Sequence, residues 1–206
     1  MQNRTNLSIY RLWAPVYDLL LGAFFLPGRR RALEVVDLRA GEKALLVGVG
    51  TGADLPLIPV GVDVVGIDLS PDMLARARAR LPLEGRRIQL EEGNAQELAF
   101  ADASFDAVLL NLILSVVPDA AACLGEARRV LRPRGRIVVF DKFLARGATN
   151  SPARRLANFV TTKLGTDITR RLEDIAESAG CTIVSDEPSL LGGQYRVAVL
   201  RDAGRN

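Results

Sequence analysis

The sequence predicts one α/β domain: a doubly wound, mostly parallel sheet of seven strands that ends in an antiparallel hairpin and is preceded by an N-terminal helical lid. Three observations lead to this prediction. The 206 residues are the length of a single domain. Short apolar segments rich in β-branched residues alternate with helical segments through the middle of the chain, as in sheets covered by helices on both faces. Two strand-like segments with a short connection close the chain, so they are expected to pair in antiparallel fashion.

The N-terminal segment has the apolar spacing of a helix over residues 8–26, and its second half is apolar on nearly every side. Two interpretations stay open. The helix either packs permanently on the domain, or it is a lid that also enters a membrane interface. In the second case the arginines at 29–31 attract anionic headgroups, so the segment is expected to bind anionic vesicles. Gly28 is expected to turn the chain into a second, short helix that ends near Leu38.

The middle of the chain predicts five buried parallel strands. They are expected at Ala44 to Gly48, Val62 to Asp68, Arg87 to Glu91, Phe105 to Asn111 and Arg136 to Asp141. Each is short and apolar on both faces, which is typical of strands covered on both sides. One helix is expected at Leu55. Another is expected over Met73 to Leu81, with Ser70 as its N-cap and Pro71 at the first helical position.

The C-terminal third predicts two helices and the closing hairpin. The helices are expected near Pro152 to Lys163 and Thr169 to Ala179. The two strands are expected at Thr182 to Asp186 and Tyr195 to Leu200, joined across Gly192 and Gly193.

Composition excludes several classes of protein. The absence of histidine removes His-based metal sites and the Ser/His/Asp and Cys/His hydrolases. Cys123 and Cys181 have no C-x-x-C spacing, so both are expected to be buried thiols in a reducing cytoplasm. The net charge is +3, the arginines are scattered and aromatic residues make up 5%. Nucleic acid is therefore not an expected partner, whereas an anionic membrane surface is.

The N-terminus does not predict a secretory signal, because Trp13, Pro15, Tyr17 and Asp18 interrupt the apolar run. A stretch of about 20 uncharged apolar residues, the length needed to span a bilayer, is also missing. The expected location is the cytoplasm, with peripheral contact at the inner face of the membrane.

The strongest chemical signal is Gly48-Val49-Gly50-Thr51-Gly52, directly after the first buried strand. Glycines allow positive φ angles and let a ligand reach the main chain. Asp68 ends the next strand, 20 residues after Gly48. A carboxylate at this place can accept hydrogen bonds from both hydroxyls of a ribose. An alternative role for Asp68 is to cap the following helix.

A second alternative is an NAD-dependent oxidoreductase, because Gly48, Gly50 and Ala53 also satisfy the relaxed dinucleotide-binding pattern. Two observations count against it. The chain has no histidine, Tyr-x-x-x-Lys pair or flavin ligand set to manage protons in a hydride transfer. The closing hairpin is also not expected of that fold.

Nearly the whole chain resembles the class I S-adenosylmethionine-dependent methyltransferases of the type 11 group, whose fold is a Rossmann-like sheet of this kind. Three of the matching segments concern the cofactor: Gly48 to Gly52 resembles the methionine loop, Val65 to Leu74 resembles the ribose and adenine segment, and Gly93 to Ala95 with Leu98 and Phe100 resembles the adenine-edge loop. Two others concern the sheet: Ser104 to Val108 resembles the fourth strand, and Val130 to Arg136 resembles the turn before the fifth strand. The resemblance implies S-adenosyl-L-methionine as cofactor, S-adenosyl-L-homocysteine as product and no metal.

The resemblance also implies a set of cofactor-binding residues. They are Tyr17, Gly48, Gly50, Thr51, Gly52, Asp68, Leu69, Met73, Asn94, Ala95, Asn111 and Leu112. In this interpretation residues 1–206 form one methyltransferase domain. Residues 1–40 are its N-terminal helical lid, residues 41–141 its cofactor-binding core, and residues 142–206 its substrate-side helices and C-terminal hairpin.

Within this family, Tyr10 to Asp18, the glycine loop and Leu114 to Asp119 look most like the bacterial phosphatidylethanolamine N-methyltransferases. That resemblance implies N-methylation of a phospholipid amine by in-line methyl transfer. Such a reaction needs alignment and desolvation, and it needs no strong base when the amine arrives neutral. The predicted catalytic residues are Tyr10, Tyr17 and Ser115, and further substrate-side candidates are Asn111, Lys142 and Arg146. A quinone precursor or a soluble small molecule remains an alternative acceptor, because those methyltransferases share the core.

Two residues depart from the family pattern. The family usually has an acid two residues before the first glycine, where it organises the loop and the methionine amino group, and this chain has Leu46. The adenine-edge loop usually carries Asp and here has Asn94, whose amide oxygen can still accept a hydrogen bond. Leu46 cannot replace a carboxylate, so a cofactor-binding protein without catalytic competence remains a third hypothesis. If the acid was simply lost, Leu46→Glu is expected to increase cofactor affinity.

Overall fold

The computed structural model describes residues 22–144, 158, 159, 161 and 166–204. Its centre is one sheet of seven strands in the order β3-β2-β1-β4-β5-β7-β6. The strands are β1 (Lys43–Val47), β2 (Asp63–Asp68), β3 (Arg87–Glu92), β4 (Phe105–Asn111), β5 (Leu131–Lys142), β6 (Cys181–Pro188) and β7 (Tyr195–Asp202). The helices referred to below are α1 (Gly22–Val36), α2 (Pro71–Arg78), α3 (Ala120–Val130) and α4 (Leu172–Ser178).

The pairing of the strands confirms the predicted fold class. Strands β1 to β5 pair in parallel, whereas β7 pairs antiparallel with both β5 and β6. The last strand of the chain therefore inserts between β5 and β6, so β6 forms one edge of the sheet. The order of strands reverses between β1 and β4, and ligands of open α/β sheets bind beyond the carboxyl ends of the strands at such a point.

The first described helix differs from the prediction. A turn was expected at Gly28, but α1 continues through Pro27 and Gly28 to Val36. A Cβ atom at position 28 would lie 2.2 Å from Cε2 of Phe140 in β5. The glycine therefore lets α1 pack directly against the sheet, and its role is close packing rather than chain reversal. Among the described residues, no helix is both long enough and apolar enough to cross a membrane.

Three other elements differ from their predicted form. Strand β3 was expected to be buried on both faces, but its residues are exposed or only partly buried because it is the other edge of the sheet. Strand β5 begins at Leu131 and includes the predicted turn, where Arg134 has a φ of +65°. The helix expected at Leu55 is a single 3₁₀ turn, Leu55–Leu57.

The helix predicted after the second strand is confirmed, since α2 begins at Pro71 and the side chain of Ser70 caps it. Helix α3 was not among the predicted elements. The helix expected near Thr169 to Ala179 is the shorter α4. The helix expected near Pro152 to Lys163 lies mostly outside the described residues, although positions 158, 159 and 161 are helical.

The sheet separates two apolar cores, one on each face. Along β1, Leu45 and Val47 point into the core under α3 and α4, while Ala44 and Leu46 point into the core under α1 and α2. This double burial is what a central parallel strand requires. Both cysteines are buried and free, as expected.

A buried ion cluster ties α4 to the hairpin. Arg196 of β7 has only 4% of its side chain exposed, donates two hydrogen bonds to Asp186 of β6, and donates one to Glu173 of α4 at 2.6 Å. Since the Asp186 side chain is also 4% exposed, removing the arginine would take two hydrogen bonds from a buried carboxylate.

Candidate active site

A pocket lies at the carboxyl ends of β1, β2 and β4, beside the N-terminal part of α1. Its lining comes from residues 22, 25 and 29 of α1; 48–51 and 53 after β1; 67–70 and 73 around the end of β2; 93–96 after β3; and 111–113 and 116–118 after β4. The topology thus brings together segments that are separated by as much as 96 positions in the chain. This is the place that the reversal of strand order predicts for a ligand.

The glycine loop presents bare backbone to this pocket. Gly50 has a φ of +56°, and a Cβ atom there would have no neighbour closer than 4.0 Å. A ligand can therefore approach the main chain at this position without meeting a side chain. Gly52, which was predicted to bind cofactor, lies outside the pocket lining, and a Cβ atom there would meet Leu55 Cδ1 at 2.8 Å. The glycine therefore allows the loop to pack closely against Leu55 and Ala77, and its contact with the cofactor stays a prediction.

Asp68 connects the glycine loop to the start of α2. One carboxylate oxygen accepts a hydrogen bond from Gly50 N at 2.8 Å, and the other accepts from Ser70 N at 2.9 Å. Burial raises the pKa of Asp68 above its usual value, although the backbone N–H groups that it accepts from act in the opposite direction. The predicted alternative of a helix cap is not what the structure shows, because the cap of α2 is the Ser70 side chain, which accepts from Met73 N.

The loop after β3 forms one side of the pocket and contains the residues predicted to contact the edge of the adenine. Asn94 and Ala95 both line the pocket. The Asn94 amide oxygen accepts hydrogen bonds from Gln96 N at 3.1 Å and Gln96 Nε2 at 3.4 Å. Both lone pairs of that oxygen are therefore in use, so a ligand donor would have to replace the Gln96 side chain, whereas an aspartate would offer a second oxygen.

The segment after β4 begins with a strained residue. Leu112 has a φ of +59°, a conformation that a leucine rarely adopts, and its N–H donates to Phe140 O at 2.7 Å. Such strain is retained where the surrounding structure requires it, often at ligand sites. Here it places Asn111, Leu112 and Ile113 in succession along the pocket wall.

A buried polar cluster of Arg29, Asp54 and Asn111 lies between α1, the glycine loop and the end of β4. Arg29 Nη1 donates to Asp54 Oδ2 at 2.8 Å, and Asn111 Nδ2 donates to the same oxygen at 3.1 Å. Three other atoms of the cluster are buried without a hydrogen-bond partner among the described residues: Arg29 Nε, Asp54 Oδ1 and Asn111 Oδ1. Buried polar atoms without partners are rare and costly, so this concentration requires an explanation.

Sequence reasoning missed two members of the buried polar cluster. Arg29 belongs to a run of three arginines, which indicated a solvent-exposed basic surface. Its side chain is only 13% exposed because it follows Phe25 by one helical turn, on the buried face of α1. Asp54 carried one signal that could have found it: it is the nearest acid after the glycine loop in a chain that lacks the usual acid before it.

The structure places the remaining predicted residues away from the pocket or outside its described part. Ser115 is buried and lies outside the pocket lining, and its backbone N–H donates to Asp141 Oδ2 at 2.9 Å. Lys142 also lies outside the lining, with Nζ 5.9 Å from the centre of the Tyr195 ring, and burial lowers its pKa. Tyr10, Tyr17 and Arg146 lie outside the described residues.

Leu46 is 2% exposed and belongs to the apolar core on the α1 face of the sheet. The position that usually carries an acid is therefore filled by a packed side chain. Within the described segments, no group of three or more cysteine, aspartate or glutamate side chains could hold a metal ion.

Comparison with known proteins decides the family. Residues 45–139 match a family described as a methyltransferase domain. The phosphatidylethanolamine N-methyltransferase of Cereibacter sphaeroides is 35% identical over 189 residues, which cover 90% of this chain and 92% of that protein. The chain belongs to the class I S-adenosylmethionine-dependent methyltransferases.

Other methyltransferases share less of the sequence or only the fold. The demethylmenaquinone methyltransferase of Thermus thermophilus is 39% identical over 137 residues, covering 62% of this chain and 61% of that protein. The methyltransferase solved in complex with the Haloferax volcanii Trm112 activator is 17% identical, with a TM-score of 0.77 over 96% of this chain and 97% of that chain.

The pocket of this methyltransferase fits S-adenosylmethionine. The open backbone at Gly50 allows close approach of a ligand, and Asp68 offers carboxylate oxygens at the end of β2. The buried polar cluster adds unpaired acceptors and an unpaired donor. Except for Gly52, every predicted cofactor-binding residue within the described part of the chain lines this one pocket.

Proposed function

We propose that this methyltransferase transfers the methyl group of S-adenosylmethionine to the amine of phosphatidylethanolamine. The observation that carries the proposal is the extent of similarity to the Cereibacter sphaeroides enzyme, which covers 90% of this chain and 92% of that protein. The similarity to the demethylmenaquinone methyltransferase covers only 62% of this chain and 61% of that protein. The residues that select an acceptor lie largely outside a shared cofactor-binding core, so similarity over both ends of the chain favours the lipid amine.

The cofactor is proposed to bind along the wall formed by the glycine loop, the end of β2 and the loop after β3. Gly48, Gly50 and Thr51 would contact its methionine part, and Asp68 would accept from the ribose hydroxyls. Leu69, Met73, Asn94 and Ala95 would surround the adenine. All of these residues line the pocket. The division into a lid at 1–40, a cofactor-binding core at 41–141 and a substrate-side segment at 142–206 belongs to this proposal.

The titratable groups of the pocket suit an amine acceptor. In the described lining, the titratable side chains are Arg29 and Asp68, and both already have hydrogen-bond partners. Bound S-adenosylmethionine supplies a methyl group on a positively charged sulfur: the amine nitrogen forms the new N–C bond while the S–C bond breaks. An amine that arrives neutral needs no base for this step, and the product ammonium releases its proton to water.

The apolar part of the pocket also suits an acceptor that carries acyl chains. Phe25, Ile113, Val116 and Val117 contribute apolar side chains to the lining. Phe24, the neighbour of Phe25 on α1, is 39% exposed. These groups would contact the hydrocarbon next to a headgroup and exclude water from the reacting atoms.

The proposed peripheral membrane contact rests on residues 8–31, of which the structure describes 22–31. In the structure, two of the three arginines at 29–31 are paired with acidic side chains, which reduces the expected attraction to anionic headgroups. Arg29 is paired with buried Asp54, and Arg31 is paired with Glu187 and Glu34. Among the described residues, only Arg30 of this run is exposed without an acidic partner. Salt dependence of vesicle binding is therefore expected to reflect about one arginine, worth about 1 kcal/mol, instead of three.

The test is methyl transfer from labelled S-adenosylmethionine to vesicles that contain phosphatidylethanolamine, with the products identified by mass spectrometry. We expect methylated phosphatidylethanolamine from the wild-type protein and, at a cofactor concentration below the Kd, about 5- to 150-fold less from Asp68→Ala. The same protein is assayed with demethylmenaquinone in identical vesicles. Methylation of the quinone without methylation of the lipid would replace the lipid proposal with the quinone alternative.

Vesicle binding by cosedimentation completes the test. Binding to anionic vesicles that weakens as salt rises supports membrane contact. Absence of binding at low salt, together with turnover of a water-soluble acceptor, would leave a small-molecule methyltransferase. Tight binding of S-adenosylhomocysteine without turnover of any of these acceptors would favour the third hypothesis, a cofactor-binding protein without catalytic competence.

A further inference from the structure

The buried polar cluster of Arg29, Asp54 and Asn111 has an unusual combination of satisfied and unsatisfied groups. Its internal hydrogen bonds use Arg29 Nη1, Asn111 Nδ2 and one oxygen of Asp54. What remains buried and unpaired among the described residues is one cationic N–H donor, one carboxylate oxygen and one amide oxygen. These groups are therefore oriented by each other while each keeps one bonding position open.

The unpaired atoms match the two charged ends of an α-amino acid. A carboxylate requires donors, and Arg29 Nε is a charged donor. An ammonium requires acceptors, and Asp54 Oδ1 and Asn111 Oδ1 are acceptors. The cluster carries one positive and one negative side chain, so it is neutral overall, as a zwitterion is. A single neutral or singly charged ligand group would satisfy only part of it.

Two of the three members of the cluster belong to the pocket lining, and Asp54 lies directly behind them, hydrogen-bonded to both. Arg29 and Asn111 both line the pocket, beside the glycine loop at 48–51. Asp68 and Asn94, at the ends of β2 and β3, form a different part of the lining. S-Adenosylmethionine has a nucleoside at one end and an α-amino acid at the other. If the nucleoside lies toward Asp68 and Asn94, its amino acid end reaches the cluster.

We propose that the buried polar cluster is the subsite for the amino acid end of the cofactor, and that Asp54 supplies the carboxylate that is missing at Leu46. Leu46 points into the core on the α1 face of the sheet, the face on which Arg29 also lies. The acid has thus moved from the end of β1 to the segment after the glycine loop, while remaining on the same side of the sheet.

The cluster also joins the cofactor to the N-terminal helix. Arg29 is the member contributed by α1, and Gly28 beside it allows the helix to approach β5 closely. Occupation of the subsite would give Arg29 a second anionic partner and fix α1 against the pocket. This inference rests on the cofactor part of the proposed function and does not depend on the identity of the methyl acceptor.

The experiment compares two ligands that differ only at the amino acid end. S-Adenosylhomocysteine carries the amino acid, whereas 5′-methylthioadenosine keeps the nucleoside and the sulfur but lacks it. Affinities are measured by isothermal titration with the full chain. We expect Arg29→Met and Asp54→Asn each to weaken S-adenosylhomocysteine binding by about 10- to 100-fold, the usual effect of losing a hydrogen bond to a charged group. Binding of 5′-methylthioadenosine should change by less than twofold.

Two controls make the comparison specific. Arg31→Met removes an arginine of the same helix that pairs with Glu187 at the surface, and it should leave both affinities unchanged. Asp68→Ala should lower the affinities for both ligands by the same factor, because both ligands carry the ribose. Because single variants leave a buried charge without its partner and could unfold the protein, the double variant Arg29→Met/Asp54→Asn removes both charges together. It is expected to fold and to show the same selective loss.

Equal losses for both ligands in the double variant would overturn the proposal, because they would indicate a structural role for the cluster. Unchanged affinity for S-adenosylhomocysteine would overturn it as well. Neither outcome bears on the acceptor: a protein that shows the selective loss but does not methylate phosphatidylethanolamine retains this subsite and loses only the lipid proposal.

Discussion

Asp68→Ala tests whether the Asp68 carboxylate binds the ribose of the cofactor, and the structure supplies the expected size of the effect. Asp68 accepts from Gly50 N at 2.8 Å and from Ser70 N at 2.9 Å, so its oxygens are held at the end of β2. Hydrogen bonds to a charged group make a net contribution of about 1.5–3 kcal/mol each after exchange with water. We expect the variant to bind S-adenosylhomocysteine about 1–3 kcal/mol more weakly, or about 5- to 150-fold in Kd.

The effect on folding should be smaller than the effect on binding. The substitution removes an acceptor from two backbone N–H groups, but it also removes a carboxylate whose burial is unfavourable, as its raised pKa shows. These contributions oppose each other. The free energy of unfolding is therefore expected to fall by only about 1–2 kcal/mol.

Isothermal titration and thermal unfolding of the same samples separate the two effects. Asp119→Ala is the matched control, because it removes the side-chain cap of α3, an acceptor 2.9 Å from Ala122 N, and Asp119 lies outside the pocket lining. It should cost about 0.5–2 kcal/mol of stability and leave the affinity unchanged. If Asp68→Ala loses stability but binds the ligand within twofold of the wild type, Asp68 only organises the loop and the ribose assignment is wrong.

Four further predictions follow from particular contacts. Because the pKa of Asp68 is raised, its carboxylate protonates as pH falls through that raised value, so S-adenosylhomocysteine affinity should decrease at acidic pH, whereas Asp68→Asn should show a flat profile by titration. Leu46→Glu should lower the melting temperature and fail to raise the affinity, contrary to the expectation from sequence, because it places a carboxylate in an apolar core; a gain in affinity would contradict this. Arg196→Met should lower the free energy of unfolding in urea by about 3–5 kcal/mol, since it removes the arginine that donates two hydrogen bonds to the buried Asp186 carboxylate. Gly28→Ala should cost about 1–3 kcal/mol despite the better helix propensity of alanine, because the new methyl group would collide with a phenylalanine ring of β5; unchanged stability would show that α1 can shift freely.

The sequence predicted those parts of the site that are local in the chain. Gly50 and Asp68 each follow directly from a strand, and parallel strands place their carboxyl ends at one edge. Ser70 caps the next helix as the local pattern predicts. In each case the residue and the element that positions it are neighbours, so periodicity and spacing were sufficient.

The predictions that were wrong share a different property. A glycine at position 28 is typical of a turn, so a turn was predicted there. The sequence around it gives no sign of the Phe140 ring against which Gly28 packs. Strand β3 was expected to be buried because its apolar content does not reveal that it forms an edge of the sheet. Ser115 lies in a motif that follows the fourth strand, and the structure places it outside the pocket lining with its backbone N–H donating to Asp141, so its catalytic role stays a prediction.

The sequence alone therefore determined the fold class, the glycine loop and the acid at the end of β2, because hydrophobic periodicity, glycine and helix caps act over a few residues. Tertiary structure alone decided the buried polar cluster. Arg29 and Asp54 are 25 positions apart, and Asn111 is 57 positions beyond Asp54, so only the packing of α1 on the sheet brings them together. An arginine in a basic run becomes a buried ion-pair partner because the energy of a charge depends on its surroundings, and those are set by residues distant in the chain.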